Sequence, residues 1–265
     1  MFALKHIKGT LAILSEHAGI DFNQFRTGFL QRKISLFATA CNYEDLGTFN
    51  EVLIHSKSLA DRLIQEIFPS ERELFRDADL WNFLHQHLLP DLLFRKHNLQ
   101  VYFPLLLHNA DLCAFLFLLN FKPRPESLKI TVSPLFEKIK WDKNAYSFNK
   151  KEKKLLEKHA EQLNFTHFDD IFSETDDSLL LQIYFHPNIT VEEKLESSDT
   201  SLDLVFVRNK LLLLNPYAQQ TFLEEIDARL TSGKYLIIGA KEQLSPNMQK
   251  TYKSIHPTLH IYQKL

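Results

Sequence analysis

Leu202-Asp203-Leu204-Val205-Phe206-Val207-Arg208-Asn209-Lys210 is the stretch that decides the fold. An apolar run that does not alternate predicts a strand buried on both faces, and the switch to Arg208, Asn209 and Lys210 ends it. A helical stretch, Gln219 to Leu230, and a second apolar run, Tyr235 to Gly239, come next. A strand, a polar turn, a helix and a strand in that order make a βαβ unit of a mainly parallel sheet.

Working outward, the same texture extends toward the N-terminus. Gln100 to Leu107 and Leu128 to Val132 read as strands around a helix at Leu112 to Leu119, and Leu259 to Gln263 reads as a final edge strand. Residues 146–188 differ: Lys150 to Lys158 is a charged helical run. Phe165 to Phe172 and Leu179 to Phe185 read as short strands around the turn-forming Glu174, Thr175, Asp176 and Asp177, which predicts a small inserted β-hairpin subdomain. Before about residue 80, Leu11, Leu14, Phe22, Phe25, Phe29, Leu30, Ile34 and Phe37 fall near helical spacing. A joining helix runs from about Asp77 to Leu89 and ends near Pro90. The expected layout is therefore α/β, with an N-terminal all-helical domain at 1–78 and a Rossmann-type domain at 79–265.

Composition narrows the function classes. With 45% hydrophobic residues, 24% charged and a formal charge of −2, the 265-residue chain is an ordinary globular protein with no overall pull toward nucleic acid or anionic lipid. Cys41 and Cys113 are too few for a disulfide framework or a CxxC motif, which points to a reducing compartment, and the start of the chain lacks the pattern of a cleavable signal peptide. The expectation is a cytoplasmic protein. The longest apolar tract, Leu99 to Phe121, holds His108, Asn109 and Asp111 at its middle, so it reads as buried strand, turn and helix rather than as a membrane insertion. His85, His87, His97 and His108 fit no HxxxH or HExxH spacing, and no metal site is expected. Walker, GxSxG and GxGxxG motifs are absent.

Several segments, in order, resemble the CheR-type chemotaxis receptor methyltransferases. His17-Ala18-Gly19-Ile20-Asp21-Phe22, followed by Arg26, Arg32 and Lys33, resembles the family's "AGI" entry into a basic helix. Glu73-Leu74-Phe75-Arg76-Asp77 resembles its "FFRD" segment, and Leu202 to Lys210 its "FDLIFCRNV" strand. Gly233, Tyr235 to Gly239 and Glu242 match its "LxPGGxLxLGxSE" close. The resemblance implies a helical domain, a Rossmann domain that binds S-adenosylmethionine (SAM), a β-subdomain that docks receptors, and methyl transfer to receptor glutamates.

The departures fall where that cofactor would bind. The turn after the first strand of this fold class approaches the cofactor closely and calls for glycine or other small residues, and the family has "STGEEPYS" there. Here the stretch reads Phe103-Pro104-Leu105-Leu106-Leu107-His108-Asn109-Ala110-Asp111-Leu112, and no glycine occurs between residues 48 and 232. Ser133 stands where the family has the acidic residue for the ribose, Ser70, Glu71 and Arg72 replace the small polar residues before the "FFRD" arginine, and Leu213 replaces the aromatic of "IYFD". Arg76 and Asn209 remain as cofactor-binding candidates carried over from the family.

Each candidate has a plainer reading. Arg76 either lines a cleft at the junction or pairs with Glu73, Asp77 or Asp79, and Asn209 either faces a ligand at a strand end or caps the next turn. Arg26, Arg32 and Lys33 form either a basic surface for an acidic partner or a solvated face. The sequence thus points to a CheR-like pseudo-methyltransferase with no catalytic residue, no bound cofactor and a protein partner in signalling, possessing a cleft filled by Phe103, Leu105 to Leu107 and Leu112. The competing readings are an active SAM-dependent glutamate methyltransferase acting on chemoreceptors, with Arg76 and Asn209 in its site, and a binder of some other small ligand in the same cleft.

Overall fold

The computed structural model describes residues 2–68, 73–95, 98–106, 110–119, 126–135, 147–148, 154, 157–161, 163, 172–174, 179–181, 188–193 and 201–265. Four helices come first: α1 (Leu4–Ala18), α2 (Thr27–Ala40), α3 (Leu46–His55) and α4 (Lys57–Ile67). Local chemistry sets their ends. The Asp45 side chain accepts from the Thr48 N–H and the Ser56 side chain from the Leu59 N–H, capping α3 and α4. Gly19 stops α1 at φ 69°, giving its N–H to the Ser15 carbonyl, so the glycine of the "AGI" stretch serves as a helix stop. The apolar stripes meet in one core of Ile7, Leu14, Leu30, Ile34, Phe49 and Leu63.

A long helical segment leads to the sheet: α5 (Ala78–Phe83), a π turn at Leu84–Leu88, and α6 (Leu89–Arg95). The expected end near Pro90 is not where the helix stops; it continues to Arg95. The π turn explains this, because the Leu89 N–H bonds the Leu84 carbonyl, and the wider turn accommodates the ring of a residue with no N–H to give.

The main sheet has seven strands in the order β6–β2–β1–β7–β8–β10–β9, namely β1 (Asn98–Leu106), β2 (Ser127–Pro134), β6 (Ile189–Glu193), β7 (Leu202–Val207), β8 (Leu230–Ile238), β9 (Tyr252–His256) and β10 (Ile261–Lys264). Pairings from β6 through β8 are parallel, and β10 runs antiparallel to both β8 and β9. The expected edge strand at the C-terminus is instead an inner one. β9 forms the edge, and with only Tyr252 fully buried it lacks the apolar run that would reveal it.

Helices cover both faces. Leu204 and Phe206 of β7 face a core made with α5, α6 and α7 (Ala110–Leu119), whereas Val205 and Val207 face Leu223 and Ile226 of α8 (Pro216–Arg229). This is the α/β, SAM-methyltransferase-like Rossmann fold that the sequence led us to expect, preceded by helices. The small inserted sheet is antiparallel, β3 (Ser147–Phe148), β5 (Leu179–Leu181) and β4 (Phe172–Glu174) in that order, with Ser173 opposite Leu180. Residues 165–171 and 182–185 of its two expected strands lie outside the described residues. Among the described residues, no helix is long and apolar enough to cross a membrane.

Candidate functional site

The C-terminal ends of β1, β2, β7 and β8 lie at one end of the sheet, where open α/β folds place ligands. Arg208 follows β7 with its side chain 1% exposed. Its guanidinium donates to Asp111 in the first turn of α7, to Asp77 Oδ2 at 2.6 Å and to the Arg76 carbonyl at 3.0 Å, and stands 5.4 Å from the Trp81 ring centre. A charge removed from water this far needs such partners, since an unpaired one would cost several kcal/mol. One side chain therefore ties together β7, α7 and the junction before α5.

Two further charges lie beside it. The Lys210 Nζ is buried with no hydrogen-bond partner among the described residues, and burial lowers its pKa to about 8, with Asp111 and Glu242 opposing that drop and Arg208 adding to it. The buried Glu242 carboxylate accepts from the backbone N–H groups of Gly239 at 2.6 Å, Asn209 at 2.9 Å and Leu212 at 3.2 Å. Burial raises its pKa, and those backbone donors pull it back. Asn209 is in the left-handed region at φ 59°.

The C-terminal end of β1 is irregular, its register to β2 shifting between Phe103 and Leu106. Leu105 has φ 49°, a conformation costing a side-chain-bearing residue about 1–2 kcal/mol. Its side chain packs against the core of the helical part. Of the described residues expected to fill the cleft, Phe103, Leu106 and Leu112 instead point into the core between sheet and helices, where Phe103 stacks on Phe206 at 4.7 Å, and only Leu105 lines the cleft. Leu107 lies outside the described residues. Beside Pro104 and Leu105 a cavity of about 550 Å³ opens, bounded by Ser133 and Pro134 of β2, Asn23 and Gln24 of the helical part, and Asn215 and Tyr217. Ser133 accepts from the Tyr102 hydroxyl at 3.0 Å, so the β2 end offers a hydroxyl already in use and no carboxylate.

The carried-over candidates sit as follows. Arg76 gives its carbonyl to Arg208 and to Trp81 Nε1, while Asp77 is engaged by Arg208 and Glu73 by His159. Asn209 lines neither cavity at this end of the sheet; its backbone is held by Glu242 and its side chain abuts Gly239. Arg26 donates through Nε to the Leu214 carbonyl at 3.0 Å, Lys33 pairs with Glu66 at 2.9 Å, and Arg32 is exposed. Sequence reasoning passed over Arg208, Lys210 and Asp111 as site residues. The available signal was a lone aspartate in an otherwise apolar helix and two cations ending an apolar strand, charges that must find each other if buried. Among the described residues, no group of three or more His, Cys, Asp or Glu is placed to hold a metal ion.

No curated protein matches the chain at a significant level. Residues 142–261 match the family described as CheR methyltransferase, SAM binding domain. The match begins after β1 and β2, which contribute Pro104, Leu105 and Ser133 to the cavity. With the sheet order and the strand-end tie of Glu242 in place, residues 142–261 are similar to the SAM-binding domain of the CheR methyltransferases.

Proposed function

We propose that this chain is a CheR-like pseudo-methyltransferase that does not hold SAM and serves as a protein-binding module in a signalling or chemotaxis-like system. One observation carries the reading. The residues at the strand ends are committed to one another, Arg208 to Asp111 and Asp77, Glu242 to the backbone, and the end of β1 bears Pro104 and Leu105 instead of glycine. Methyl transfer from a sulfonium depends on binding and orienting both reactants, so a chain that does not fit the cofactor loses the reaction. The same reading divides the chain into a helical unit at 1–78 and an α/β unit at 79–265. It gives Arg32, with Arg26 and Lys33 beside it, to an acidic protein partner, and keeps the chain in the cytoplasm. Isothermal titration with SAM and with its demethylated product tests the reading: no heat up to millimolar ligand is expected, and micromolar binding of either one overturns it.

The 550 Å³ cavity is the observation favouring an active enzyme, because its volume lies within the range of ligand pockets. That alternative requires methyl incorporation into a cognate receptor fragment and its loss in Asn209→Ala.

A further inference from the structure

A second cavity, of about 300 Å³, lies at the same end of the sheet between the start of α5 and the end of β8. Its walls are Leu80, Ile238, Ala240 and Leu259, and its charged lining is Asp77, Asp79 and Arg208. The charges do not balance. Arg208 is already neutralised from behind by Asp111, so Asp77 and Asp79 leave the mouth negative, and the half-charge of a helix N-terminus offsets only part of two carboxylates. Asp77 keeps 41% of its side chain exposed although it accepts from Arg208, and Asp79 is exposed. An acid in the first helical turn is favourable for the helix alone, but that role does not account for a cavity of mixed polar and apolar lining beneath it.

A lining with apolar patches under an anionic rim suits a long side chain with an aliphatic stem and a cationic head. We propose that this cavity receives a lysine or arginine side chain of a partner protein, its stem against Leu80, Ile238 and Leu259 and its head between Asp77 and Asp79. The inference rests on the protein-binding reading above and names the chemistry of one contact. Occupancy also reaches the interior, because the incoming cation shares Asp77 with Arg208, which holds the junction to β7.

The test uses the full chain and two hexapeptides, one of alternating arginine and glycine and one with glutamine in place of arginine, followed by two-dimensional NMR and by titration at low and high salt. The expected result is that the arginine peptide binds, shifting the amide signals of Asp79, Ala240 and Thr258, and the glutamine peptide does not. Asp79→Asn is expected to weaken binding by about threefold, the scale of one exposed ion pair. Ala240→Leu, at an exposed position that tolerates the change, is expected to weaken it by a similar factor without altering charge. Glu224→Gln, on α8 outside this cavity, is expected to leave it unchanged. Equal binding by wild type, Asp79→Asn and Ala240→Leu, or no binding of the arginine peptide, overturns the proposal. SAM titration reports only on the pseudo-methyltransferase reading, so the two failures are distinguishable.

Discussion

A methyl group on Gly239 would lie 2.7 Å from the backbone nitrogen of Asn209 and 2.9 Å from the Glu242 carboxylate. The ends of β7 and β8 meet at this contact, and neither backbone can retreat while Glu242 holds the N–H groups of both residues. Gly239→Ala is therefore expected to lower the unfolding free energy by about 2–3 kcal/mol, through overpacking against the Asn209 backbone as well as the Asn209 and Glu242 side chains. Urea denaturation of the two proteins measures it; a loss below about 0.5 kcal/mol, the scale of an ordinary surface change, would show that the contact yields easily.

Such backbone ties explain which parts of the molecule the sequence discloses. Leu202–Val207 is legible to the residue because burial on both faces demands a run that does not alternate, apolar at every position but Asp203, which pairs with Lys234. Edge strand β9 is not, since a strand with one fully buried residue has no run to show. Leu105 misled for another reason: a bulky residue in the sequence says nothing about which way its side chain turns, and Phe103, Leu106 and Leu112 went to the core while a cavity stayed open beside Leu105. The charged cluster was written in the sequence as Asp111, Arg208 and Lys210, but the opposite charge nearest each is about 100 residues away or on another element, and proximity at that range is a property of the fold.

Arg208 offers a graded test. Arg208→Met leaves Asp111 buried without its cation, and breaking a buried pair from one side costs about 3–5 kcal/mol. Asp77→Asn removes the half-exposed partner and is expected to cost below about 1 kcal/mol. A double-mutant cycle of Arg208→Met with Asp111→Asn should recover a substantial part of the loss, measured by chemical denaturation. Additive losses would mean that the two residues contribute separately.

Lys210 gives a pH dependence whose sign follows from its burial. With a folded pKa of about 8 against 10.5 in the unfolded chain, unfolding takes up a proton between those values, so stability rises as pH increases through that window. Lys210→Met should abolish this part of the rise and stabilise the protein at pH 7 by on the order of 1–3 kcal/mol, because an unpartnered buried cation is removed. Parallel denaturation curves at pH 7 and 9.5 for both proteins check the difference. An equal rise in both would assign it to other groups.

The helical part is fastened to the sheet by Asn215. Its N–H donates to the Gln24 carbonyl at 2.8 Å, its amide to the Asn23 carbonyl at 2.7 Å, and its side-chain oxygen caps α8 through the Ala218 N–H. Asn215→Ala loses the cap and the amide bond together, for an expected cost of about 1–3 kcal/mol. Hydrogen exchange should then quicken at residues 23–26 and in the first turn of α8, whereas faster exchange spread evenly over the chain would point to global destabilisation alone.

The pseudo-methyltransferase reading makes a constructive prediction as well as a negative one. If the end of β1 and the missing carboxylate bar the cofactor, then Leu105→Gly, which suits φ 49° and clears a wall of the 550 Å³ cavity, combined with Ser133→Asp at the β2 end, should create measurable SAM binding where the parent has none. Leu105→Gly alone relieves the left-handed strain but forfeits packing against the helical core, so its effect on stability is small and separable from affinity. Calorimetric titration of parent, single variants and double variant with SAM gives the answer. Binding already present in the parent refutes the reading. Absence of binding in a folded double variant shifts the obstruction from these two positions to the Arg208, Asp111 and Asp77 cluster, whose ion pairs then remain the feature that closes the strand ends.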